Sequence, residues 1–196
     1  DYMWAGSIRN GLIGIKEIYI KTYKEAPLNT PYGLSDKTVT SLFEDPSGII
    51  WIGTDGGGIN RFDSTNKTFK HYPSTYGNKI ISLSQYSSNE LVCSVFSKGL
   101  FLFDKRNGSF RKLEIWNATE SNRIFNSGYS VNIALLDKEN LLLLADTPYF
   151  YNYKSKKVEI LPSVNQEVGI WYPQKFHFNE TQTHLIAGNS IIEIDN

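Results

Sequence analysis

Residues 33–63 read GLSDKTVTSLFEDPSGIIWIGTDGGGINRFD. Three β-type runs lie within them: TVTSLFE, then IIWIGT after Asp45-Pro46-Ser47-Gly48, then GINRF after Asp55-Gly56-Gly57. A fourth run, Thr68 to Tyr72, follows Ser64-Thr65-Asn66. Short runs rich in β-branched and aromatic residues, separated by Gly, Pro, Asn and Asp, predict four strands joined by tight turns into one antiparallel meander.

The unit recurs along the chain. Trp4-Ala5-Gly6 and Gly11-Leu12 stand 47 positions before Trp51-Ile52-Gly53 and Gly58-Ile59, with the same internal spacing. Val92, Gly99, Leu100, Phe103 and Asp104 follow Trp51, Gly58, Ile59, Phe62 and Asp63 by 41 positions. A looser fourth copy has Leu143-Leu144-Ala145-Asp146-Thr147 in place of WIGTD, with Pro148-Tyr149 replacing the glycine run. A fifth shows Leu185-Ile186-Ala187-Gly188, Ile191, Ile194 and Asp195, without a last strand.

A four-strand unit repeated every 40 to 50 residues is the pattern of a β-propeller. One twisted sheet has two faces to bury, and stacking blades hides both. The expected fold class is therefore all-β, a β-propeller fragment of about five antiparallel blades near residues 1–32, 33–76, 77–117, 126–166 and 170–196. The first blade starts at its second strand and the last stops after its third. That arithmetic predicts an open arc, or reliance on partner chains, within a larger parent of seven blades. Residues 114–128 are polar and carry no strand pattern.

Composition agrees with this reading and removes several function classes. The 196 residues include twelve Tyr and eleven Phe, a β-favouring content, and 40% of the chain is hydrophobic, enough for a packed core. Twenty basic and twenty acidic side chains cancel, so no net field attracts nucleic acid or an anionic membrane. The single cysteine, Cys93, excludes an internal disulfide. No apolar run approaches membrane-span length.

The stretch GLSDKTVTSLFEDPSGIIWIGTDGGGINRFD, with Phe69 to Tyr72 after it, resembles the two-component regulator propeller repeat. The match is tightest over residues 33–72, looser over 1–15 and 80–113, and weakest after 129. The resemblance implies the periplasmic sensor region of a hybrid two-component system, as in gut Bacteroides, where propellers precede a membrane span, a histidine kinase and a DNA-binding response regulator. It further implies oligosaccharide sensing, periplasmic localisation, and other blades and kinase domains of the same parent as partners, with a homodimer in view. Other propeller families fit less well. A sialidase-type aspartate box needs its aspartate two residues before the glycine, whereas Asp45 lies three before Gly48, and WD and kelch signatures are missing.

Chemistry-bearing residues read mostly as structure. Asp55-Gly56-Gly57-Gly58 leads into a strand and lacks a following Lys-Ser/Thr pair, so a turn needing positive φ is expected rather than a phosphate loop. Of His71, His177 and His184, only the last two, on neighbouring strands, would meet, and no metal is expected. Cys93 occupies the position of Ile52 and reads as a small buried hydrophobe. Glu44 and Asp45 point to opposite faces of a strand and cannot flank one glycosidic bond. The Asn-x-Ser/Thr triplets at Asn66, Asn117 and Asn179 read as turns.

Binding is what remains. Loops entering the innermost strands and loops joining second to third strands crowd one mouth of a propeller. Aromatic faces beside amides and charges there suit a polar ring-shaped ligand. The candidate ligand-binding residues are Trp171, Tyr172, Gln174, Tyr76, Asn78, Arg9 and Asp55, with Trp171-Tyr172 foremost. No catalytic residue, metal or cofactor is expected. The leading expectation is a non-catalytic sensor propeller; the alternatives are a scaffold propeller for protein–protein interaction and a propeller-type glycan lyase or hydrolase.

Overall fold

The structure is a computed structural model that describes residues 3–7, 9, 11–16, 19–27, 30–116, 131–137, 139–145, 148–160, 173–178, 182–187 and 190–195. For 15–16, 19–20 and the segments after 160 the description is of the backbone. Those residues form eighteen strands in five antiparallel sheets and no helix. Blade 1 holds β1 (Met3–Ser7), β2 (Gly11–Lys16) and β3 (Tyr19–Tyr23). Blade 2 holds β4 (Val39–Glu44), β5 (Ile49–Thr54), β6 (Ile59–Asp63) and β7 (Thr68–Tyr72). Blade 3 holds β8 (Ile80–Gln85), β9 (Glu90–Val95), β10 (Gly99–Asp104) and β11 (Phe110–Lys112). Blade 4 holds β12 (Asn132–Leu135), β13 (Asn140–Leu144), β14 (Pro148–Asn152) and β15 (Val158–Ile160). Blade 5 holds β16 (Pro173–Phe178), β17 (Gln182–Ala187) and β18 (Ser190–Asp195).

Each sheet follows chain order, so every connection within a blade is a hairpin. The innermost strands β4, β8 and β12 pack on one another in sequence. β1 packs on β4 as β5 packs on β8, which places β1 as the second strand of its blade, in agreement with the sequence period. The expected strands all appear, with ends shifted by a few residues. Of the expected strandless connection, Glu114 to Trp116 are described and contain no strand; the remainder lies outside the described residues.

The register makes the blades superimposable position by position. Ile49 pairs with Asp63, Glu90 with Asp104, and Asn140 with Asn152. Because side chains alternate along a strand, one face of each blade looks back and the other forward. Looking back, Ile50 joins Leu12 and Tyr23 of blade 1, Leu91 joins Trp51 of blade 2, and Leu141 joins Val92 of blade 3. Outer strands repeat the device with one apolar residue each: Phe69, Phe110 and Val158 all pack on the core shared with the preceding blade. Each fully buried side chain of this kind contributes roughly 1.5–3 kcal/mol.

A second device pins the seams at the hairpin end between first and second strands. Asp45, 6% exposed, accepts hydrogen bonds from the Ser47 amide (2.9 Å) and hydroxyl (2.5 Å), from Trp51 Nε1 (2.9 Å) and from Lys105 Nζ of blade 3 (3.2 Å). The turn that tempted a catalytic reading is thus a carboxylate knot that orients Trp51 and ties blade 2 to blade 3. The same place in the next seam has different chemistry. Tyr86, one period after Asp45, meets Tyr153 of blade 4 edge to face at 4.7 Å, and Tyr153 donates to the Gln85 carbonyl at 3.1 Å.

Burial pushes the Asp45 carboxyl up, but the bonds from Ser47, Trp51 and Lys105 outweigh it and hold its pKa at about 2, below the ordinary 3.8. A carboxyl whose folded pKa is depressed stabilises fully above its unfolded value and loses that contribution as pH falls through the folded one. Asp45→Asn should therefore cost on the order of 2 kcal/mol at pH 7, by urea titration. The gap between wild type and variant should close progressively from about pH 4 to about pH 2.

Candidate ligand-binding mouth

Loops entering the first strand of a blade and turns joining its second and third strands meet at one end and are bonded to each other periodically. The Gly11 amide donates to the Lys37 carbonyl (3.0 Å), and, one blade on, the Gly58 amide donates to the Asn78 carbonyl (2.9 Å). The Asp55 amide donates to the Thr38 carbonyl (3.1 Å), and the Phe96 amide to the Lys79 carbonyl (3.0 Å). The blade 2 turn is thus held both by the entry loop of its own blade and by that of the next.

Glycine is required where these loops touch. Gly11 and Gly58 have φ of +82° and +78°, and a Cβ on either would lie 2.3 Å from the Tyr23 carbonyl oxygen or 2.4 Å from that of Tyr72. The Gly57 amide is taken by Thr54 Oγ1 at 3.1 Å, and the Gly58 amide by Asn78, so these amides are spent inside the protein and do not cradle an anion. The glycine run is turn hardware, as its sequence context implies.

Beneath the loops of blades 2 and 3 lies a matched pair. In blade 2, buried Asn60 accepts from the Ser35 amide (2.9 Å) and donates to Ser35 Oγ (2.7 Å). In blade 3 the residues one period later are Tyr76 and Phe101, whose rings meet at a tilt of 31° with centroids 4.5 Å apart. Tyr76 therefore covers the buried Phe101 while remaining 40% exposed. Asp55 forms an ion pair with Lys79 at 2.7 Å, and Lys79 Nζ sits 4.9 Å from the centre of the Phe96 ring, which is 41% exposed.

Of the sequence candidates, Asp55, Tyr76 and Asn78 come together at the boundary of blades 2 and 3. Asn78 is committed in part to the scaffold, since its Oδ1 accepts from the Ser74 amide at 2.9 Å. Arg9, at φ +72°, occupies the matching turn of blade 1. Gln174 lies on β16, where the backbone alone is described, and Trp171 and Tyr172 lie outside the described residues. Lys79 and Phe96 were missed. Phe96 continues a strand-like apolar run and so reads as core, although it lies one period after Asp55 and that spacing marks it as a turn residue.

The other reactive side chains are absorbed by the scaffold. Cys93 is fully buried, and burial pushes its thiol well above the ordinary value, which makes it a poor nucleophile. His71 Nε2 lies 2.8 Å from the Gly33 carbonyl. His177 and His184 are directly paired in register on β16 and β17. Among the described residues no cluster of His, Cys, Asp or Glu could hold a metal ion.

The geometry is that of a β-propeller built from four-stranded blades. Residues 33–56 match the family model described as "Two component regulator propeller", so at least one such repeat is present in this chain. Solved structures share the fold. The extracellular domain of the hybrid two component system BT4673 from B. thetaiotaomicron superimposes with a TM-score of 0.72 at 21% identity, over 99% of this chain and 28% of that one. The corresponding domain of BT3049 from the same organism gives 0.73 at 12% identity, over 99% and 27%. An auxiliary nutrient binding protein from Bacteroides ovatus gives 0.72 at 10%, over 100% and 52%. This chain thus spans little more than a quarter of the length of those two extracellular domains. No curated protein matches the sequence.

Gly58→Ala should lower stability by about 1–3 kcal/mol, since the side chain both strains φ and meets a carbonyl. A denaturant midpoint equal to that of wild type would contradict the geometry. Native Cys93 should react with a small disulfide reagent only at the rate of unfolding, whereas urea should release it at once.

Proposed function

We propose that this chain is a non-catalytic, extracytoplasmic sensor segment of a hybrid two-component system that takes part in oligosaccharide recognition. The observation that carries the reading is the regulator propeller repeat at residues 33–56, set in blades whose mouth presents half-exposed rings beside an ion pair. Tyr76 and Phe96 offer apolar faces to the C–H side of a sugar, while Lys79 and Asp55 offer a donor and an acceptor to its hydroxyls. Arg9 and, by sequence position, Trp171, Tyr172 and Gln174 extend the same set around the mouth. Asn78 supports the loop from below.

Signal transfer in this reading needs no bond-making. A ligand that prefers one packing of the propeller against its neighbours shifts a population, and the kinase of the parent chain reads the shift. Periplasmic placement and pairing with a second sensor chain belong to the same proposal. A scaffold role draws on a different feature: Tyr32 and Trp116, 78% and 67% exposed, are large aromatics of the kind enriched in protein interfaces.

Calorimetric titration of the intact sensor with an oligosaccharide panel tests the reading. The paired change Tyr76→Ala and Phe96→Ala should weaken the recognised glycan at least tenfold, with thermal stability lowered only modestly because both rings are partly exposed. Unchanged affinity would remove this mouth as the binding site.

A further inference from the structure

A formal net charge of zero hides an uneven distribution at the mouth. Entry residues 35–38 and 76–79, with residue 9 and the turns 55–58 and 96–99, carry four cations, Arg9, Lys37, Lys79 and Lys98, against two carboxylates, Asp36 and Asp55. Both carboxylates are already engaged. Asp55 holds Lys79 at 2.7 Å. Half-buried Asp36 accepts the Thr38 amide at Oδ1 (2.7 Å), and its Oδ2 lies against Gly56, where a Cβ would come within 2.9 Å. Arg9, Lys37 and Lys98 are exposed, and none of them has an ion pair among the described residues.

These three cations flank the exposed rings. The Lys37 carbonyl takes the Gly11 amide, two residues beyond Arg9, so Arg9 and Lys37 share the junction of blades 1 and 2. Lys98 stands on the same turn as Phe96, and its stem passes Gly77, where a Cβ would lie 4.0 Å from Lys98 Cγ. Gly77, at φ +137°, adopts a backbone that side-chain-bearing residues rarely reach, and it directly follows Tyr76. Lys98 therefore belongs to the cluster of Tyr76, Lys79 and Phe96. Between the two groups of cations lies the blade 2 turn, whose Gly56 and Gly57 raise no side chain.

We infer that the mouth takes an acidic oligosaccharide, one whose sugar units carry carboxylate or sulfate groups. In this assignment, which rests on the saccharide reading of the mouth, a sugar laid on Tyr76 and Phe96 brings its acidic substituent to Lys98. A further acidic unit of the same oligosaccharide crosses the bare blade 2 turn and meets Lys37 and Arg9. Lys79, neutralised by Asp55, keeps its part in binding hydroxyls. A neutral glycan gains nothing from the three free charges, whereas an acidic one gains attraction, orientation and a faster encounter.

Calorimetric titration of the intact sensor with isomaltooligosaccharides, with the same oligosaccharides after sulfation, and with oligogalacturonides separates the outcomes. An acidic probe should bind about tenfold or more tightly than the neutral one, and which acidic probe does so tells sulfate from carboxylate. Raising sodium chloride from about 0.05 to about 0.5 M should weaken that binding. Lys37→Gln and Lys98→Gln should each weaken the acidic probe severalfold at unchanged thermal stability, since both side chains are exposed, and Lys98→Arg should retain it. Acidic binding indifferent to both lysines overturns the inference. So does recognition of neutral glycans alone through Tyr76 and Phe96, an outcome that leaves the saccharide reading intact. Binding of no oligosaccharide at all removes that reading, and this inference with it.

Discussion

Everything in this molecule depends on the burial of one sheet face against the next. A four-stranded sheet of five- or six-residue strands has too little interior to hold itself together, because both faces are apolar and both lie open to water. Ile50, Leu91 and Leu141 look back, Trp51 and Val92 look forward, and each finds its cover only in the neighbouring blade. The hydrophobic gain is therefore a property of seams, not of blades. Loops and turns are constrained accordingly, since a shift of one residue in any strand would turn its apolar set away from the seam.

The weakening of the repeat along the chain has a physical pattern. Where blade 2 uses polar pairs, blade 3 substitutes both members together. Ser35 with Asn60 becomes Tyr76 with Phe101, and Asp45 with Lys105 becomes Tyr86 with Tyr153. A buried polar group is tolerable only with its partner, so replacing one member alone would leave an unsatisfied donor or a stranded charge. Rings in tilted or edge-to-face contact fill the same place without that requirement. Residue identity is lost while the contact survives, which explains why a family model reaches only residues 33–56 although the fold extends far beyond them.

The mouth shows the same economy of parts. Its glycines and amides hold the loops together, and the groups left facing outward are side chains: the rings of Tyr76 and Phe96 and the Asp55–Lys79 pair. Tyr76 serves both purposes, one face on Phe101 and the other toward solvent. Conformational change at this end has a ready path, because the blade 2 turn is bonded to the entry loops of blades 2 and 3.

By itself the sequence determined the blades. Periods of 47 and 41 residues, turn residues at fixed offsets and alternating apolar positions were enough to place the strands, to read Trp51 and Cys93 as core, and to dismiss the glycine run as a phosphate loop. Local patterning can do this because strand period and turn chemistry are properties of neighbouring residues. Only the tertiary structure decided what the turns hold. That Asp45 reaches Lys105, that Tyr76 lies on Phe101 and that Lys79 bridges Asp55 and Phe96 are contacts across 60, 25, 24 and 17 residues. No periodicity records them, because they depend on how the faces of separate blades meet.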